Sequence, residues 1–146
     1  MNLVQKGAFG DAQWKLQIDD GELGCRVADE PQGPNNTRNE AFAIAPVDGS
    51  GPGASPLDVF DYTWREFSCV KTGDTVAIFV DDIEIASDTA SIWNDDGDTD
   101  VASSFDSIES DRVLSVGGLR RTGAANLNQV NDQYHGEMDK LTIAFR

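Results

Sequence analysis

An acidic run that follows Trp93 holds the residues with the clearest potential for metal chemistry. Asp96, Asp98 and Asp100 alternate around Gly97, and carboxylates clustered on a loop repel one another unless a cation or solvent screens them. The spacing resembles the start of a calcium loop, but the glycine and the glutamate that an EF-hand needs later in its loop are missing. The run therefore predicts either a calcium site or a solvated acidic loop.

Aromatic, amide and acidic side chains that could bind a sugar occur beside this run and again later in the chain. Aromatic rings stack on the apolar faces of sugars, while carboxylates and amides hydrogen-bond to sugar hydroxyls. The first group is Trp93, Asn94 and Asp95, and the second is Asn126, Asn128, Asn131, Asp132 and Gln133. The alternative is that Trp93 packs its loop onto the fold and that the second group is an ordinary polar loop.

The residue patterns that catalysis would need are incomplete. His135 is the only histidine, and no nucleophile or orienting partner can be assigned to it. Asp82 and Glu84 share a face of a predicted strand, but the further carboxylate that sandwich-class glycoside hydrolases carry at strand spacing is missing. We therefore predict that the chain is not an enzyme, with a glycoside hydrolase as the alternative. With one histidine and two cysteines, a zinc site is not expected.

The balance of charge restricts the partners. The chain has 146 residues, of which 26 are acidic and 11 basic, giving a formal net charge of −15. Phosphate backbones and anionic membranes repel such a chain, so we expect no nucleic-acid partner. No apolar run approaches the roughly 20 residues of a membrane helix, so we expect no membrane insertion. The acidic surface serves either solubility or the binding of calcium.

Period-two alternation of apolar and polar residues predicts strands along most of the chain and no long helix. Residues 12–28 predict a hairpin whose turn is Asp19-Asp20-Gly21. Residues 38–46 predict a strand with Phe42 and Ile44 on one face. Short strands separated by turns favour a sandwich of antiparallel sheets.

The second half of the chain begins with the clearest prediction, a three-stranded antiparallel meander. The predicted strands from here onward are residues 63–70, a strand through Val76, Ile78 and Val80, a strand through Ile83 and Ile85, residues 112–117, and residues 138–145. Residues 88–111 are predicted to be a long polar excursion. Trp14 and Trp64 are predicted to face the core.

The two cysteines, Cys25 and Cys69, occupy the middle of predicted strands, on the side shared with apolar neighbours. They are either two buried thiols or a disulfide that closes a long loop, worth about 3–4 kcal/mol in the chain-entropy model. A disulfide would imply an oxidising compartment.

A series of short motifs, in order along nearly the whole chain, resembles bacterial laminin G-like domains. The motifs are Gln5-Lys6-Gly7 with Trp14-Lys15-Leu16, Gly21 and Cys25; Trp64, Phe67 and Cys69; Gly73-Asp74 with Val76; Val80-Asp81-Asp82; Leu114-Ser115-Val116-Gly117-Gly118; and Tyr134-His135-Gly136-Glu137-Met138-Asp139-Lys140-Leu141. The resemblance implies a single domain over residues 1–146 with an all-β, antiparallel jelly-roll β-sandwich of the concanavalin A-like type. It also implies a disulfide between Cys25 and Cys69, which we expect to cross adjacent strands.

Laminin G-like domains are mostly glycan- or protein-binding modules of secreted or cell-surface proteins, and some hold calcium. The resemblance therefore implies a non-catalytic extracellular module that recognises a glycan or a surface protein through its rim loops, with Ca²⁺ as an accessory ligand. The alternative is a structural subunit that pairs with itself or with a partner chain.

The chain departs from the family pattern in two places. Asp82 stands where glycine is usual, so its turn must accept Asp in a left-handed or near-turn conformation. The strands that precede Gln5-Lys6-Gly7 in the family are missing, so we expect a second copy, a strand-donating partner or rearranged loops to cover the apolar surface left open. The closing 138–145 strand is expected beside Leu3-Val4.

Overall fold

Alternating apolar and polar residues form ten strands in the part of the chain that the structure, a computed structural model, describes. The described residues are 2–7, 11–29, 31, 35–48, 58, 63–94, 97–105, 108, 114–116 and 137–144. The strands are β1 (Asn2–Lys6), β2 (Gln13–Asp19), β3 (Glu22–Ala28), β4 (Arg38–Pro46), β5 (Phe67–Thr72), β6 (Thr75–Val80), β7 (Ile83–Thr89), β8 (Ser91–Asn94), β9 (Gly97–Ala102) and β10 (Ser115–Val116).

The strands form two antiparallel sheets. The larger sheet has the order β10-β1-β2-β3-β4-β8-β9, and the smaller sheet is the meander β5-β6-β7. The predicted all-β chain, its first hairpin and its meander are therefore confirmed. A search of the described residues finds no helix that is long and apolar enough to cross a membrane.

Two hairpin turns use aspartate in the left-handed region of backbone space. In the β2–β3 turn, Asp20 has a φ of 48° and Gly21 a φ of 82°, and in the β6–β7 turn Asp81 and Asp82 have φ values of 50° and 66°. Two central residues with positive φ match the twist of the flanking strands, and Asp tolerates this conformation. The prediction that Asp82 adopts it is confirmed.

The two sheets bury one core between their facing surfaces. Cys25 of β3 lies between Leu16 of β2 and Ala43 of β4 in register, and all three side chains are buried. Ile78 of β6, fully buried, belongs to the same core from the smaller sheet. The small alanines of β4 let β6 and β7 approach it closely. Trp14 packs against this core, as predicted.

A disulfide joins the two sheets. Cys25 on β3 and Cys69 on β5 are bonded, with their Cα atoms 5.6 Å apart, which confirms the pairing. The expectation that the bond crosses adjacent strands is wrong, because β3 and β5 belong to different sheets. Both cysteines point into the shared core, so the bond spans the space between the sheets.

Within the predicted polar excursion over residues 88–111, β8 and β9 form an antiparallel pair. The strand β7 continues to Thr89, and β8 pairs with β4 and with β9. Asn94 lies opposite Gly97 in register, so only two residues connect the strands. The sequence pattern missed this hairpin because its strands carry polar residues on both faces.

Two predictions about where strands begin or lie are wrong. The strand predicted to begin at residue 63 begins at Phe67, and Trp64, predicted to face the core, is 64% exposed. Residues 137–144 form no strand, and Leu141 and Ile143 are exposed. Alternation of apolar and polar residues gives a segment the side-chain pattern of a strand, but a strand forms only where a neighbouring strand is present to pair with it. Among the described residues, β1 pairs with β2 and β10 rather than with the closing segment.

Candidate binding surface

The outer face of the larger sheet points away from the smaller sheet and carries polar and aromatic side chains. Register aligns Lys15, Arg26 and Phe42 across β2, β3 and β4, and it sets Arg38 of β4 opposite Trp93 of β8. These positions alternate with the buried apolar positions of the inner face. The outer face is therefore the polar surface of the larger sheet.

A buried ionic cluster organises the part of this face near β8. The Glu40 carboxylate accepts hydrogen bonds through Oε2 from Arg26 Nη2 at 2.6 Å and from Arg38 Nε at 2.8 Å. Arg38 is only 2% exposed, and its guanidinium lies 4.0 Å from the centre of the Trp93 ring. Charge-assisted hydrogen bonds of this kind fix side-chain geometry. The cluster therefore holds Trp93 against the sheet.

Three contacts fix Phe42, whose ring lies on the same outer face. Its backbone N–H donates to Asp88 Oδ2 at 2.7 Å, at a point where β4 has no strand partner on that edge among the described residues. The Arg26 guanidinium lies 5.5 Å from the centre of its ring. A Cβ on Gly24 would come within 2.8 Å of the ring atom Cε2, so the ring lies directly over the glycine backbone. These contacts give Phe42 a fixed orientation.

Beside Phe42, the outer face opens into a hollow of about 180 Å³ at the turn end of the β2–β3 hairpin. The residues that line it are Gln17, Asp19, Asp20, Glu22, Gly24, Phe42 and Ile44. Register sets Gln17, Gly24 and Ile44 side by side across three strands. Ile44 is 42% exposed, so with Phe42 it forms an apolar floor that solvent reaches.

Carboxylates form the rim of the hollow. Asp19 lies directly opposite Glu22 in the hairpin register, Asp20 sits in the turn between them, and all three residues are exposed. A fourth carboxylate, that of Asp48, lies against the turn, where a Cβ on Gly21 would collide with it. The rim is therefore a strongly negative edge around an apolar floor.

The predicted sugar site lies at the other end of β4 from the hollow. Trp93 and Asn94 end β8, and Trp93 faces Arg38, six positions before Ile44 on β4. Six strand residues span about 20 Å, so the structure does not bring Trp93 to the hollow. The stacked guanidinium of Arg38 already occupies one face of the Trp93 ring. A sugar-binding role for Trp93 stays a prediction.

The predicted calcium run is described only in part. Asp98 lies opposite Trp93 in the β8–β9 register, and Asp100 has a left-handed φ of 55°. Asp95, Asp96, Asn126, Asn128 and Asn131 lie outside the described residues, as does the side chain of Asp98. Among the residues that the structure describes, no group of three or more potential metal ligands comes together. Calcium binding by Asp96, Asp98 and Asp100 stays a prediction.

Sequence reasoning missed the hollow although it identified every element around it. The Asp19-Asp20-Gly21 turn was predicted, and so was a shared face for Phe42 and Ile44. Alternation does not say which face of a strand is buried, so it did not assign the face of Phe42 and Ile44 to the core or to the surface. The sequence did contain a signal for which face of β4 points inward. Ala41, Ala43 and Ala45 alternate along the strand, and small residues suit a face that packs closely against a second sheet.

Comparison of the chain with protein family models, with curated proteins and with solved structures found no match in any of the three.

Proposed function

We propose that this chain is a non-catalytic, extracellular glycan-binding module of the laminin G-like, concanavalin A-like jelly-roll class. The observation that carries the proposal is the hollow beside Phe42, which combines an exposed apolar floor with an amide and carboxylates. Sugars present apolar ring faces and hydroxyls together, and binding sites for them combine aromatic or aliphatic surface with convergent polar groups. The disulfide supports an extracellular location, because such bonds persist in oxidising compartments.

The exposure of the rim carboxylates supports binding rather than hydrolysis. A glycoside hydrolase keeps one carboxyl protonated by shielding it from water. Asp19, Asp20 and Glu22 all lie at a solvent-exposed hairpin end, where no such shielding exists among the described residues. These carboxylates suit hydrogen bonds from sugar hydroxyls. Their negative charge also disfavours acidic glycans.

The test of this proposal is a glycan array, run with and without calcium, followed by titration of the tightest ligand. We expect Ile44→Ala and Gln17→Ala each to weaken binding about three- to tenfold, since each removes about one modest contact. Val70→Ala is the matched control, because Val70 is 42% exposed, like Ile44, but lies on the smaller sheet. Calcium dependence would point to Asp96, Asp98 and Asp100.

Two outcomes would contradict the proposal. If Val70→Ala weakens binding as much as Ile44→Ala, the hollow is not the binding site. If no glycan binds and light scattering shows stable dimers, the structural-subunit alternative replaces it. That alternative draws on the exposure of Trp64, which precedes β5, and of Ile83 on β7, at 64% and 67%.

A further inference from the structure

We propose that the glycan recognised by the hollow carries a protonated amino group, so that the ligand is a cationic amino sugar. This inference rests on the proposed glycan-binding function and names the class of ligand for the same site. The inference is drawn from the lining of the hollow. Phe42 and Ile44 form its apolar floor, and Asp20 and Glu22 border the floor on the side of the turn.

The floor has the form that a single sugar ring needs. The row Gln17, Gly24 and Ile44 crosses three neighbouring strands, and the missing side chain at Gly24 leaves the Phe42 ring lying over the backbone. The result is an open hollow of about 180 Å³ at the turn end of the β2–β3 hairpin. One ring can rest its apolar face on this floor while its substituents reach the rim.

The rim selects the charge of those substituents. Asp19, Asp20 and Glu22 surround the same side of the hollow, with Asp48 behind the turn. An ammonium group donates hydrogen bonds to carboxylates, and charge-assisted bonds are about twice as strong as neutral ones.

The amide of Gln17 favours a sugar over a basic peptide side chain. A lysine ammonium only donates hydrogen bonds, so it can use the carboxylates and the Gln17 carbonyl but cannot accept from the Gln17 NH₂ group. Sugar hydroxyls donate and accept, so an amino sugar can use the carboxylates and both groups of the amide. The hollow therefore matches an amino sugar more completely than it matches a lysine or arginine side chain.

The experiment compares oligomers of glucosamine that carry free amino groups with N-acetylated oligomers of the same length, by calorimetry in moderate salt. The hollow variant is Asp20→Asn with Glu22→Gln. The matched control is Asp82→Asn with Glu84→Gln, which removes the same two charges from the other hairpin, where Asp82 also has positive φ. Asn tolerates this conformation, and melting curves of both variants establish that they fold.

The expected result is that the wild-type protein binds the free-amine oligomer about tenfold more tightly than the N-acetylated one. The hollow variant should lose this preference, and the control variant should keep it. Equal loss in both variants would overturn the inference, because the net charge of −15 would then explain the attraction.

The remaining outcomes separate this inference from the proposed function. Equal affinity for the two oligomers, weakened by Ile44→Ala, would overturn the amino-sugar inference while the glycan site stands. If neither oligomer binds but neutral glycans bind in the array, the amino-sugar inference is also overturned while the glycan site stands. An oligolysine peptide that binds as tightly as the free-amine oligomer, with the same loss in the hollow variant, would overturn it in favour of a basic peptide.

Discussion

At the scale of single residues, one carboxylate organises the outer face of the larger sheet. Glu40 accepts hydrogen bonds from Arg26 and Arg38, and these arginines lie against the rings of Phe42 and Trp93. A buried charge costs free energy unless an opposite charge and hydrogen bonds compensate it. Glu40 therefore fixes both aromatic side chains that could bind a ligand on this face.

We expect Glu40→Gln to lower the free energy of unfolding by about 3 kcal/mol or more, because it leaves two largely buried guanidinium groups without their shared counter-charge. Urea denaturation followed by tryptophan fluorescence measures the change. Glu22→Gln is the control, since Glu22 is exposed and should change stability by less than about 0.5 kcal/mol. Equal stability of the two variants would mean that the cluster contributes nothing to the fold.

At the scale of strands and turns, the sequence predicted the elements whose pattern is strong on one face. The β2–β3 hairpin and the β5–β6–β7 meander combine clear alternation with turn residues, so their existence followed from the residues alone. The β8–β9 hairpin and the face of β4 that packs inward did not follow, because they depend on which neighbouring strand is present. Predicting the hollow also requires knowing which strands are neighbours and which face of β4 points outward.

The disulfide acts between elements, and its removal should loosen one sheet from the other. Cys25 and Cys69 are 44 residues apart in sequence, so the chain-entropy model predicts a loss of about 4 kcal/mol when the bond is absent. We expect Cys25→Ala with Cys69→Ala to lower the melting temperature and to increase dye binding by exposed apolar surface. An unchanged melting temperature would show that core packing alone holds the sheets together.

At the scale of the whole molecule, the chain combines a strongly negative surface with two sheets that bury one core. Composition predicted that nucleic acids and anionic membranes are repelled. The hollow follows only from the fold, since Gln17, Glu22 and Ile44 come from three strands that register brings together. The spacing of these three residues along the chain does not predict that they line one hollow.

The proposed glycan site is the hollow at the turn end of the β2–β3 hairpin. The most direct measurement is the change in backbone amide chemical shifts when the tightest oligosaccharide from the array is titrated into isotope-labelled protein. If the glycan binds in the hollow, the largest changes fall at residues 17–24 and 42–44. Changes confined to residues 91–94 and 97–102 would contradict it and would favour the site predicted around Trp93.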